Sequence, residues 1–248
     1  ASEMKKSVFI TGTNRGIGLG LVKEFLKNDN LSIIIAGTRS IEASEELLQV
    51  SNDTRLQIVE IDVEKEETVK AAFPRFQTES LLGDSGLDLL INNAGVCYPI
   101  DVNAPIDREA ARGNFDVNVI GTLAVIQIFK PLLLKAAHSK GWAQVINLSS
   151  IMASMTHTFG PFGDRHFTGY AMSKAAVNMM TRCLSMDWAK ERIGVTAISP
   201  GWVQTTMGGE GATISVEESA SGFAKFAMEL GEEHNGMYFN YDSTPIDW

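Results

Sequence analysis

Short runs of β-branched and aromatic residues alternate along this chain with longer stretches whose apolar residues recur at helical spacing. The first run, Ser7-Val8-Phe9-Ile10-Thr11, ends at Gly12 and reads as a buried strand. Ile17, Leu21 and Phe25 then recur every four residues with Lys23, Glu24 and Lys27 on the outer face, which predicts a helix. The alternation continues to the end of the chain. Strands are expected at 31–36, 56–61, 87–91, 143–148, 194–198 and 236–240, and helices at about 41–50, 64–80, 106–137, 170–190 and 215–230. Pro74 is expected to kink its helix, and Ser215 with Glu218 has the spacing of a capping box. Strands that alternate with helices predict a three-layer α/β arrangement, a doubly wound, seven-stranded parallel sheet between helices. No repeat or low-complexity linker divides residues 1–248, so one domain is expected.

Ligands on such sheets bind outside the carboxyl ends of the strands. Those ends carry glycine and polar residues here: 12–18, Thr38-Arg39, Asp62-Val63, Asn92-Asn93-Ala94-Gly95, Ser149-Ser150 and Pro200-Gly201. In Gly12-Thr13-Asn14-Arg15-Gly16-Ile17-Gly18, glycine allows backbone N–H groups and a helix N-terminus to meet a pyrophosphate without an intruding Cβ. The spacing is G-x-x-x-G-x-G rather than G-x-G-x-x-G, and no P-loop pattern is present. Tyr170 and Lys174 stand four residues apart at the start of a predicted helix, so both should point into one site. A fixed cation beside a phenol favours phenolate and lowers its pKa from about 10. Tyr170 is therefore a candidate general acid or base. Such a pair alone is common on helix surfaces; the strand-end residues give it a context.

A net charge of −9 provides no basic stripe for phosphates and argues against nucleic acid. No apolar run approaches the roughly 20 residues that span a bilayer, so no membrane partner is expected. Lys5-Lys6 with Val8-Phe9-Ile10 is too short for a signal peptide. Cys97 and Cys183 fit neither a metal spacing nor a disulfide framework, and read as reduced thiols of a cytoplasmic protein. His157 and His166 lack a third ligand, so no metal site is expected.

Taken in order, Thr11-Gly12-x-x-x-Gly16-x-Gly18, Asp62-Val63, Asn92-Asn93-Ala94-Gly95, Asn118, Ser150, Tyr170-x-x-x-Lys174 and Pro200-Gly201-x-Val203-x-Thr205 resemble the short-chain dehydrogenase/reductase family. The match runs from Thr11 to the final strand. More narrowly, residues 13–20 and 199–205 resemble the C-factor-like and Sniffer-like carbonyl reductases. The resemblance implies a Rossmann fold that binds a nicotinamide cofactor and transfers hydride to a carbonyl carbon. Tyr170 would donate the proton, and Ser150, with Ser149 as its rival, would hydrogen-bond the substrate oxygen. Lys174 would lower the Tyr170 pKa and hold the nicotinamide ribose. Asn118 would bend its helix and hold a water that links Lys174 to solvent. Gly12, Asn14, Arg15, Gly16, Ile17 and Gly18 would surround the pyrophosphate. Asp62 and Val63 would border adenine, and Asn93, Ala94 and Gly95 would flank the adjacent ribose. The Val203 main chain and Thr205 would hold the carboxamide, with Pro200 and Gly201 also among the cofactor contacts. Phe159, Trp202 and Met207 are the candidate apolar contacts for substrate.

The stretch between Ser150 and Tyr170, residues 151–169, is several residues longer than most of the family carries. It is read as a wall of the substrate pocket, and residues 206–230, with Gly208, Gly209 and Gly211, as a mobile lid. Relatives that prefer NAD carry an acid after the second strand, which accepts from the adenosine 2′-hydroxyl. Here Thr38 takes that place and Arg39 follows, with Arg15 adding charge on the same side. A planar guanidinium suits a 2′-phosphate, so NADPH is expected. Two function classes follow. One is a reductase of a small-molecule aldehyde, ketone or quinone. The other is a signalling or redox-sensing protein that keeps the cofactor site with little turnover. The resemblance also implies a homodimer built on the helices at about 106–137 and 170–190.

Overall fold

The computed structural model describes residues 5–78, 81–157 and 167–248. Seven strands form one sheet: β1 (Lys6–Thr11), β2 (Leu31–Thr38), β3 (Leu56–Glu60), β4 (Leu89–Asn92), β5 (Ala143–Leu148), β6 (Ile193–Ser199) and β7 (Tyr238–Asn240). Their order is β3-β2-β1-β4-β5-β6-β7, and every pairing is parallel. The chain builds outward from β1 to β3, returns to β4 beside β1, and builds outward again. The reversal leaves a crevice between the carboxyl ends of β1 and β4.

Seven α-helices connect the strands among the described residues: α1 (Gly16–Leu26), α2 (Glu45–Gln49), α3 (Glu66–Phe76), α4 (Arg108–Phe115), α5 (Thr122–Lys140), α6 (Thr168–Asp187) and α7 (Val216–Glu229). The strands read as continuous apolar runs because both faces of a parallel sheet are covered. Val8 and Ile10 point to the layer of α1 and α7, where they join Leu21, Phe25, Phe223 and Phe226. Phe9 points the other way, into the layer of α3 and α5. Its ring packs 4.8 Å from Phe76 and 4.9 Å from Phe129, within the range where aromatic pairs add to simple burial.

Several elements differ from the sequence expectation. The helix expected at 106–137 is interrupted by a π-helical segment, Asp116–Gly121, between α4 and α5. This widened turn holds Asn118, and Gly121 sits where a Cβ would lie 2.4 Å from the Val63 carbonyl oxygen. A widened turn of this kind recurs at functional sites. The run Arg108–Lys140 also proves long and apolar enough by composition to cross a bilayer, contrary to the sequence reading. Here Val125, Ile126, Phe129, Leu132 and Leu133 are instead fully buried against the sheet. Helix α3 ends at Phe76, in the turn that contains Pro74, rather than kinking and running on to 80.

Helix α7 corrects the expected lid. Ala220, Phe223, Ala224, Phe226 and Ala227 are buried in the core. A Cβ on Gly20 of α1 would fall 2.7 Å from the Val216 side chain and 3.0 Å from the Ala220 Cβ, so the α7 side chains pack directly onto the α1 backbone. That packing makes α7 part of the core, so the lid expectation falls back on residues 206–215. The Ser215 hydroxyl accepts from the Glu218 N–H at 3.0 Å, while the Glu218 carboxylate accepts from Tyr241 at 2.8 Å. Half of the expected capping box is thus in place.

Candidate active site

The ends of β1, β4, β5 and β6 frame a cleft of about 890 Å³. Its floor is the glycine turn. Gly12 has φ +71°, and a Cβ there would lie 2.8 Å from the Ala94 Cα. A Cβ on Gly18 would lie 2.1 Å from the Gly12 oxygen. The turn therefore folds onto itself only with glycine, and main chain instead of side chains faces the cleft. Asn93 holds it there: its carboxamide donates to the carbonyls of Thr11 (2.8 Å) and Gly12 (2.9 Å), and the Asn93 and Ala94 N–H groups donate to the Thr11 hydroxyl.

At one end of the cleft stand Arg15, Arg39, Asp62 and Val63, together with Glu46 and Glu64. Both arginines are exposed. Thr38 is the exception among the residues expected here. It is buried, with its hydroxyl 2.9 Å from that of Ser44 and 3.3 Å from the Ser40 carbonyl, and it does not line the cleft. A short polar side chain at the end of a buried strand satisfies its hydroxyl in the next turn, so Arg39 alone represents β2 in the site. Asn14, Gly16, Ile17, Gly95, Pro200, Gly201, Val203 and Thr205 all line the cleft as expected. Thr205 is brought within 3.4 Å of where a Gly16 Cβ would be. Trp202 and Met207 line the other end, where the Trp202 indole donates to the Gly208 carbonyl at 2.8 Å. Phe159 lies outside the described residues, whereas Phe167 and Met152, near the two ends of the 151–169 segment, face the cleft.

Tyr170 and Lys174 lie one turn apart on α6 and both face this space. The Lys174 ammonium is buried, donates to the Leu148 carbonyl at 2.7 Å, and lies 5.8 Å from the centre of the Tyr170 ring. Ser150 lies beside the Tyr170 phenol, where its hydroxyl favours the ionised form. Its hydroxyl also accepts from the Met152 N–H at 3.3 Å, capping the turn Ile151–Ala153. Ser149 is committed elsewhere: it is buried and donates to Asn178 Oδ1 at 2.6 Å. The geometry favours Ser150 over Ser149 as the serine next to Tyr170. Asn118 is buried behind them. Its carboxamide accepts from the Val96 N–H at 2.8 Å and donates to the Val96 carbonyl and the Ser173 hydroxyl, each at 2.9 Å. It thereby ties α6 and the π segment to the loop after β4.

The electrostatics depart from the sequence expectation. Burial pushes the Tyr170 phenol above its ordinary value, the nearby Cys97 thiol pushes it the same way, and the Ser150 hydroxyl pulls it back only in part. Lys174 is not what sets it. Burial brings Lys174 itself down to about 8, because desolvation disfavours the charged form. Cys97 is the residue that sequence reasoning missed. It is half-buried, lines the cleft beside Lys174, and burial raises its thiol to about 11. Its place two residues after Gly95, past the end of β4, was a usable signal.

The sequence pattern of the short chain dehydrogenase family matches residues 6–236. The chain belongs to the short-chain dehydrogenase/reductase family. Among family members, C-signal of Myxococcus xanthus is 34% identical over 65% of this chain and 93% of its own. The NADPH-bound carbonyl reductase from chicken fatty liver is 34% identical, with a TM-score of 0.91 over 98% of this chain and 99% of that one. The carbonyl reductase Sniffer of D. melanogaster is 32% identical, with a TM-score of 0.90 over 98% and 100%. The narrower resemblance to C-factor-like and Sniffer-like members is thus found in both sequence and structure, and the chain is an oxidoreductase by family.

The buried lysine has a measurable signature. Its folded value of about 8 lies below its ordinary 10.5. Between those values the unfolded chain holds a proton that the native one has released, so stability rises with pH across that window. Below it, the native state carries the buried charge at full cost. Urea unfolding of the unmodified protein and of Lys174→Met should therefore differ by an amount that moves in favour of the unmodified protein from pH 8 to 10.5. A difference that stays flat across the window would contradict the burial.

Proposed function

We propose that this protein is an NADPH-dependent reductase of aldehydes, ketones or quinones. The observation that carries the reading is the meeting of Ser150, Tyr170 and the buried Lys174 on one cleft, beside a glycine turn that presents main chain to the same space. The cleft suits a dinucleotide because its floor is empty where any side chain would intrude, and because Arg15 and Arg39 stand at one end. NADPH would supply the hydride. The amides of 12–18 would hold the pyrophosphate, Asp62 and Val63 the adenine, and Asn93, Ala94 and Gly95 the adjacent ribose. Pro200, Gly201, Val203 and Thr205 would meet the carboxamide.

In that frame each side chain has a chemical task. Ser150 orients the substrate carbonyl and stabilises negative charge as it grows on oxygen. Tyr170 donates the proton to that oxygen. Its raised pKa makes it a phenol, not a phenolate, at neutral pH, which is the protonation state that reduction requires. Lys174 is poised to hold the nicotinamide ribose and to support the phenolate left after proton transfer. Asn118 fixes the backbone on which both stand. Residues 206–215 are proposed as the part that moves over substrate, with Trp202, Met207 and Phe167 forming apolar walls. The carbonyl reductases among the relatives support the substrate class.

The assembly is proposed to be a homodimer. Met172, Met179 and Met186 repeat every seven residues along α6 and are exposed at 54%, 65% and 65%. A stripe of this kind across from the buried face of a helix is what a second copy would cover. Light scattering should return about twice the 27.0 kDa chain mass; a value of one chain mass would refute the dimer.

Tyr170→Phe should lower turnover on any accepted carbonyl by about 100-fold or more, since general acid catalysis supplies that much, while NADPH affinity is nearly retained. A variant that keeps more than about a tenth of wild-type turnover would sink the assignment.

Arg39 tests the cofactor. A charge-assisted bond to the 2′-phosphate is worth about 1.5–3 kcal/mol, at least about tenfold in affinity. The unmodified protein should prefer NADPH to NADH, and Arg39→Ala should lose most of that preference with little effect on NADH. Equal catalytic efficiency with both cofactors before mutation would overturn this reading.

A further inference from the structure

Behind the cleft lies a second tyrosine that the mechanism above does not use. Tyr238 stands on the edge strand β7, in register with Ala197 of β6. It is among the largest fully buried side chains of the molecule. Its hydroxyl crosses β6 and donates to the main-chain carbonyl of Ser150. The Ser149 and Asn178 side chains, bonded to each other, lie beside it and favour its ionised form in part. Burial pushes the Tyr238 phenol above its ordinary value, so it remains a donor at every working pH. The same serine therefore lines the cleft with Tyr170 on its side-chain side and accepts from Tyr238 at its carbonyl.

Tyr238 is itself held by the residues that follow it. The chain reverses after Asn240 through a turn in which Ser243 has φ +71°. The Asp242 carboxylate accepts from the Thr244 N–H at 3.0 Å, and the Ile246 N–H returns to the Tyr238 carbonyl at 2.9 Å. Trp248 then stacks on Tyr238, with ring centres 5.4 Å apart and planes within 25°. Arg182 of α6 lies 6.0 Å over the other ring of that pair, Trp248, and donates to Gly236 at 2.8 Å. The segment that leaves Ser150 is fastened to the same tail. The Ser154 hydroxyl donates to the Asp247 carbonyl at 2.6 Å, and the Thr156 hydroxyl to the Trp248 carbonyl at 3.3 Å. Further support for Ile151 comes from the Ser199 hydroxyl, which accepts its N–H at 3.1 Å.

We infer that Tyr238, clamped by the tail 245–248, is a positioning residue that sets where the Ser150 hydroxyl stands relative to Tyr170, and that the tail anchors the start of the 151–169 substrate loop. The inference rests on the proposed carbonyl reduction. The Ser150 peptide is pinned in its own turn, its carbonyl accepting from the Ala153 N–H at 2.8 Å and the Ile151 N–H held by Ser199; Tyr238 adds the contact from the neighbouring strand, and an error of about 1 Å in the position of a catalytic group can cost on the order of a hundredfold in rate. Tyr238 supplies the hold from outside the cleft, so it can act on turnover without touching cofactor or substrate.

The test is a double-mutant cycle on the full chain. Tyr238→Phe keeps the ring and its stacking on Trp248 but removes the donor. It should lower kcat about tenfold, with NADPH affinity and the carbonyl KM changed much less. In a Ser150→Ala background, followed by single turnover at high enzyme concentration, the same change should cost less than about twofold, because its effect passes through the serine hydroxyl. Trp248→Leu, which leaves Tyr238 in place, should show the same selective loss of kcat in smaller measure, and it decides the matter if Tyr238→Phe does not fold. Unchanged kcat in the variants of an active enzyme, or losses that simply multiply with Ser150→Ala, would overturn the inference and leave the reductase reading standing. A parent protein without carbonyl turnover would instead sink the reductase reading. Positioning would then be decided by hydrogen–deuterium exchange over 150–157, which Tyr238→Phe must accelerate and which, if unchanged, refutes the inference.

Discussion

The hydrogen bonds between Thr11 and the Asn93–Ala94 corner hold open the crevice on which everything else depends. They join the ends of β1 and β4, the two strands between which the order of the sheet reverses. Each such bond is worth only about 0.5–1.5 kcal/mol net, yet all of them bear on one corner, and a side chain at Gly12 or Gly18 would collide with the same atoms. The glycine turn is therefore not merely flexible chain. It is fixed in a shape that leaves main-chain donors bare at a helix N-terminus, where an anion is favoured by both hydrogen bonds and the helix dipole.

The other half of the site is a contest between burial and charge. Lys174 is held in the interior by one carbonyl of β5 and is surrounded by Cys97, Tyr170 and the Asn118 network instead of by a carboxylate. Desolvation wins over the neighbours for both Tyr170 and Lys174, and the two groups are pushed toward their neutral forms. A neutral phenol beside a lysine of lowered pKa is a site that can give a proton and then accept the cost of the resulting anion. The arrangement stands on Asn118, whose amide is spent on Val96 and Ser173 and whose helix widens to let it reach them.

Elements whose patterns are local were legible in the sequence. Strand β5 falls at 143–148 as expected, and Gly12, Gly16 and Gly18 announce the turn. Tyr170 and Lys174 share a face for the simple reason that they are four residues apart. The residues that went astray depend on tertiary contacts. Thr38 reads as a ligand contact from its place at the end of β2, but its hydroxyl is taken by Ser44 six residues on. The stretch 206–230 reads as a lid because Gly208, Gly209 and Gly211 stand at its start, but the apolar face of α7 belongs to the core next to Gly20. Tyr238 carries no motif at all; only the parallel pairing of β6 and β7 places it behind Ser150.

The central claim is that hydride passes in this cleft from a nicotinamide to a carbonyl carbon. The most direct test supplies NADPH carrying deuterium at C4, on each face in turn, with a panel of aldehydes, ketones and quinones, and examines the products by mass spectrometry. The account predicts that at least one carbonyl of the panel yields an alcohol or hydroquinone in step with cofactor oxidation. In an alcohol product, one deuterium from one face of the cofactor should reside on the carbinol carbon. Cofactor that binds but is oxidised by no member of the panel, or an alcohol whose new carbon-bound hydrogen comes from solvent, would contradict it.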